Sequence, residues 1–179
     1  MSAPNTEHLG DQPSEAVHQV SETTAIGEVA NSVETDHWLV IVDEAARPKA
    51  AVRSGALSDY PKERPLSSIL ADLPAMILAH ADAPTNCLLP LLPELEPGSA
   101  VIVEHVDHLR VWAGPALHQI PMGGSISFPG PPHVPLIVKA CRYHNRLKSC
   151  GHSQKFPTKP MQMPNCADPE GLGPHPFTW

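Results

Sequence analysis

Two uninterrupted apolar runs stand 61 positions apart, from Val40 to Val101. They are Leu39-Val-Ile-Val, closed by Asp43, and Ala100-Val-Ile-Val, closed by Glu104. Continuous β-branched runs of this length suit strands buried on both faces. Each is followed by a polar turn and a second short apolar segment, Ala50-Ala-Val52 in one case and Leu109-Arg-Val-Trp112 in the other. Both then pass through small residues to a leucine: Ser54-Gly-Ala-Leu57 and Gly114-Pro-Ala-Leu117. The echo extends backwards. Met76 to Leu92 reads as a strand, a turn marked by Asp82 and a helix entered at Pro84. Ala16 to Ala30 has the same layout, strand, polar cap and helix.

A helix between two strands of one sheet implies a parallel crossover. The pattern therefore predicts an α/β fold of two βαββα repeats, at 15–62 and 74–120, forming one pseudo-twofold domain over 15–120. Residues 1–14 read as a flexible lead. Residues 121–179 read as a Pro/Gly-rich connector and an irregular tail stapled by cysteine and histidine.

The repeat, the acid-ended hairpin and the small-residue link into a helix resemble a tandem pair of CBS motifs. That resemblance covers about 105 residues and implies a regulatory module that associates as a homodimer. CBS pairs often bind adenine nucleotides, through a hydroxyl after the third strand and an acid three residues later. Here those positions hold Arg53 and Ala113, then Ala56 and Ala116. The acid that would accept the ribose hydroxyls is missing, so the expected pair is degenerate and nucleotide sensing is the alternative reading.

Composition changes this picture in one respect. The 22 prolines and 11 glycines are a surplus, and eleven of the prolines lie from Pro121 onward. Aromatic residues are only 4%, so the core must be aliphatic and a stacking surface for RNA is not expected. The net charge of -7 gives no basic footprint for nucleic acid. No apolar window approaches the length of a spanning helix, and no secretory signal is visible. A cytoplasmic protein without nucleic-acid or membrane partners is expected, and in that compartment cysteines favour free thiols or metal ligands over disulfides.

The candidate chemistry lies in the tail. Cys141, Cys150, Cys166 and His175 follow the spacing C-x8-C-x15-C-x8-H. Three thiolates and one imidazole satisfy tetrahedral zinc. Lys139, Arg142, Lys148 and Lys155 would offset the charge of such a site. His144 and His152 are spare ligands, and His175 is preferred because Cys150 and His152 share one short loop. A short tail with few apolar residues needs such a staple, and Phe177 and Trp179 are placed to pack over it. A disulfide among the three cysteines, or a catalytic metal with Glu170 as base, are alternatives. Cys87 reads as a buried structural thiol, and Trp38 and Trp112 as covers of the core. His105 and His108 read as part of a polar turn. The resulting expectation is a non-enzymatic regulatory or protein-interaction module with a structural zinc and an unknown protein partner.

Overall fold

A computed structural model describes residues 7–34, 36–112, 134–145, 148–167 and 172–179. The strands are β1 (Ser14–Ser21), β2 (Trp38–Val42), β3 (Pro48–Arg53), β4 (Met76–His80) and β5 (Ala100–Glu104), followed by β6 (Leu109–Trp112), β7 (Leu136–Ala140) and β8 (Ser153–Phe156). They form one eight-stranded sheet in the order β3-β2-β1-β6-β5-β4-β7-β8, curled almost into a barrel. β1 runs parallel to β2, and β2 antiparallel to β3. β4 and β5 are likewise parallel, and β5 and β6 antiparallel. The two sets join through the antiparallel pair β1–β6.

Two βαββα repeats are not the architecture. The strand pairings recur, but the helical layer that defines such a fold is absent from the described residues. Among the described residues only α1 (Ile26–Ser32) is α-helical, and it is seven residues long. The helix expected from Pro84 to Leu92 is a 3-10 turn at Thr85–Leu88 followed by another at Leu92–Glu94. Pro90 and Pro93 explain the difference, because each lacks an N–H and clashes with a preceding helical turn. Asp82 does not cap it: the residue before the first turn is Pro84, with no side-chain cap. Ser54–Asp59, after β3, is also 3-10. The helix start at Gly114 and the connector over 121–133 lie outside the described residues.

The tail is also not wholly irregular. β7 pairs with β4, and β8 pairs with β7, so part of the tail lies inside the sheet. The run Leu136-Ile-Val carries the same apolar signal as the earlier strands, but the surrounding prolines obscured it.

Strand alternation divides the core into layers. Val40, Ala51, Met76, Leu78, Ile102, Val111 and Val138 meet on the inner face of the curl. Leu39, Ile41, Ala50 and Val52 face outward beneath Ile26, Val29, Leu57 and Leu66. Ile77, Ala79, Val101, Val103 and Ile137 face outward beneath Leu9, Leu88 and Leu91. Both faces are therefore buried, which is why the strands read as continuous apolar runs. Trp38 and Trp112 are buried within these layers, and Cys87 is a buried thiol.

The turn between β2 and β3 is organised by Asp43. Its Oδ1 accepts the N–H groups of Ala45 (3.0 Å) and Arg47 (2.9 Å), and its Oδ2 accepts Arg47 Nε (2.8 Å). Burial acts to raise its pKa, but the hydrogen bonds and the Arg47 guanidinium outweigh it and hold the carboxyl below its usual value. A depressed carboxylate pKa adds stability above the ordinary carboxylate range, and that stability is lost as pH falls through the folded-state value. Asp43→Ala should cost about 1–2 kcal/mol at neutral pH. In urea denaturation the deficit should shrink below about pH 4; a deficit independent of pH would show that the carboxylate charge is not involved.

Candidate metal centre

The four candidate ligands arrive as two pairs, each on its own antiparallel arm. Cys141 directly follows β7, and Cys150 lies three residues before β8. The hairpin between them is held by the Cys141 N–H donating to His152 O (3.0 Å) and by Cys150 N–H donating to Tyr143 O (2.8 Å). The Gly151 N–H turns back to Cys141 O (3.1 Å), at a φ of 66° that favours glycine. The second arm pairs Asn165 with Pro176. There the Cys166 N–H donates to His175 O, and Phe177 N–H to Pro164 O, both at 2.8 Å. Arg142 N–H to Thr178 O (2.7 Å) ties the arms together. The shared eight-residue gap within each pair is thus the span of one short arm.

The ligand atoms of Cys141, Cys150, Cys166 and His175 all lie within 4.8 Å of one another. Cys150 Sγ and Cys166 Sγ are 3.5 Å apart, and Cys141 Sγ and His175 Nε2 are 3.8 Å apart. A tetrahedral zinc with bonds of about 2.3 Å to sulfur and about 2.0 Å to nitrogen has ligand–ligand edges of about 3.5–3.8 Å. A disulfide would need about 2.05 Å, and all four cysteines of the chain are free thiols. These side chains can therefore hold a metal ion.

The imidazole is oriented for metal ligation. His175 Nδ1 lies 2.9 Å from Gly173 O, an acceptor only, so Nδ1 carries the proton. Nε2 is left with its lone pair toward the three sulfurs, the usual arrangement for a metal-ligating histidine. Tyr143 stacks on the same ring, with centroids 4.2 Å apart. Cys141, Cys166 and His175 are buried, and Cys150 is half-buried. The Thr178 N–H reaches Cys141 Sγ at 3.3 Å. Burial pushes the Cys166 thiol up to about 12, and the adjacent Cys150 and Cys141 thiols add to the effect. Burial also raises Cys150, against the pull of the His152 N–H. Cys150 and Cys166, packed this closely, resist ionising together unless a cation joins them.

No family model, curated protein or solved structure matches this chain.

His144 is exposed and paired with Ser149, and His152 stays outside the cluster. Glu170 lies outside the described residues. Phe177 packs with Phe156, Cys141 and Cys166, while Trp179 also covers the outward core beside β4 and β5. Of the nearby cations, Lys139 and Arg142 do not face the thiols. Lys139 is 1% exposed; its Nζ donates to Leu73 O at 2.7 Å and lies 3.7 Å from Glu96. Arg142 reaches Ala71 O (3.0 Å) and Glu96 (3.3 Å). They bolt the arms to the loops before β4 and β5. Sequence reasoning missed Glu96, whose partners lie more than forty residues away. Arg53, the one cation at the degenerate nucleotide position, stacks over Trp38 (4.6 Å) and pairs with Glu15 (3.1 Å). Ala56 is exposed, and Ala113 and Ala116 lie outside the described residues. His105 and His108 stack at the β5–β6 turn, with centroids 4.4 Å apart. No described helix is long and apolar enough to cross a membrane.

Proposed function

We propose that the chain is a non-enzymatic regulatory or protein-interaction module whose C-terminal arms are clamped by one structural zinc ion. The observation that carries this reading is the convergence of Cys141, Cys150, Cys166 and His175 within 4.8 Å. A Cys3His set favours zinc among the common metals, because thiolates are soft and the arrangement is tetrahedral. Four protein ligands complete the shell, as structural sites do, whereas catalytic zinc keeps one position for water or substrate. The clamp also works mechanically, holding β7 and β8 to an arm that has little core of its own. On the same arm Met161 is fully exposed and Met163 partly so, the kind of adaptable apolar surface that suits a protein partner. A second copy of this chain is the partner in this reading.

Cobalt substitution tests the closed shell. Tetrahedral cobalt thiolate sites absorb visible light, and the absorption depends on the ligand set. Added azide should leave the spectrum unchanged, because no ligand position is open. A spectral change on azide addition would mean an open, catalytic type of site. Native mass measured on the zinc-loaded chain reads the association, and a monomer at all concentrations would remove the self-partner.

A further inference from the structure

The curled sheet stops short of closing, and the seam has chemistry of its own. β3 and β8 are the terminal strands, and a cleft of about 290 Å³ lies where β3 and its preceding turn face β7 and β8. Lys49 on β3 sits at a break in the β2–β3 register, where Ile41 pairs with Ala50 and Val42 with Pro48. Lys155 on β8 stands opposite Val138, which packs in the inner core. Residues that stand opposite in register share a sheet face. Lys155 therefore belongs to the inner face, and both lysines line the cleft, one from each side of the seam.

Arg47 joins them there, so three fixed cations meet one lining carboxylate, Asp43. This local excess of two positive charges stands against a chain whose net charge is -7. Asp43 only partly neutralises it. Arg47 spends Nε and one terminal nitrogen on Asp43, and its side chain is still 69% exposed. Lys49 lies 3.7 Å from the same carboxylate. Lys155 is exposed and makes no ion pair with a described residue. Ser153 also lines the cleft, and its buried hydroxyl has no hydrogen-bond partner among the described residues. Turning that hydroxyl toward a bound oxyanion gives up no existing bond.

We propose that this seam binds a small soluble phosphate monoester. Lys49, Lys155 and Arg47 hold the dianion, and Val138 and Pro48 border the organic part. Lysine ammoniums and an arginine fork are suited to phosphate oxygens. The cleft has the volume of about ten waters, more than inorganic phosphate alone fills. Its small size and the negative charge elsewhere on the chain disfavour an extended polyanion or an anionic membrane.

Calorimetric titration of the metal-loaded full chain with phenyl phosphate tests the proposal. One saturable site is expected, with inorganic phosphate competing for it. Lys155→Ala should weaken binding about tenfold, and Lys155→Arg should retain most of it. Lys155 is exposed, so its replacement leaves the fold intact. The proposal is overturned by no saturable binding at about 10 mM ligand, a range that covers even weak millimolar sites, or by unchanged affinity in Lys155→Ala. Tighter binding to a DNA oligonucleotide, or to phosphatidylserine vesicles, would overturn it too. Metal content measured on the same sample keeps the two readings apart. Full metal with no phosphate binding sinks only the cleft, and phosphate binding without metal sinks only the zinc clamp.

Discussion

Cys141→Ser is expected to abolish metal binding and to release the C-terminal arms from the sheet. Cys141 is fully buried and follows directly on β7, so it joins the sheet to both arms. Its sulfur faces His175 Nε2 and also accepts the Thr178 N–H. The change therefore removes a ligand and loosens the contact that fixes the last residues. Binding of structural zinc is worth about 10–16 kcal/mol in small zinc-folded peptides. Loss of one buried ligand should cost at least about 3–5 kcal/mol here, a large share of a typical domain's stability. Thermal unfolding and the fluorescence of Trp179 would register the change, since Trp179 packs on Phe156 and Phe177. Cys87→Ser is the control, being a buried thiol outside the metal cluster. It should lower stability by cavity and polarity effects while leaving metal content whole. Equal metal loss in both variants would show that the metal depends on general folding and not on Cys141.

The second large effect is expected at Lys139. An ammonium that is 1% exposed survives only because Leu73 O and Glu96 receive it. Burial lowers its pKa, Arg142 lowers it further, and Glu96 opposes both. Lys139→Ala strands the Leu73 carbonyl, weakens the hold on Glu96 and opens a hole beside β4. About 3 kcal/mol should be lost in urea denaturation. Lys139→Met should lose clearly less, because it refills the volume and Arg142 still pairs with Glu96 at 3.3 Å. If Met and Ala cost the same, volume is irrelevant and the hydrogen bond to Leu73 accounts for the whole effect.

These residues also mark what the amino-acid sequence made legible. The gathering of Cys141, Cys150, Cys166 and His175 into a cluster that could hold a metal was readable because such clusters depend on residue type, and cysteine with histidine at matching eight-residue gaps stands out. The buried strands were readable because a sheet covered on both faces leaves an apolar run of uniform length. The expected helix fails at Pro84–Leu92, where apolar spacing suggests a helix but Pro90, and Pro93 just beyond, limit the chain to 3-10 turns. The CBS-like architecture fails there, since strand pairing alone cannot supply its helical layer. β7 was hidden by the prolines around it. Lys139 and Arg142 were assigned to the thiolates because they are neighbours in sequence, whereas Glu96, Ala71 and Leu73 hold them in space. The cationic seam had no sequence signature at all: Lys49 and Lys155 are brought together only by the curl of the sheet.

The proposed clamp of one zinc ion on the C-terminal arms is open to direct assay. The decisive quantity is the elemental zinc content of the purified full chain, taken alongside Cys166→Ala. About one zinc per chain is expected in the native protein and essentially none in the variant. A native content far below one, or an equal content in the variant, would show that these four side chains do not hold the ion.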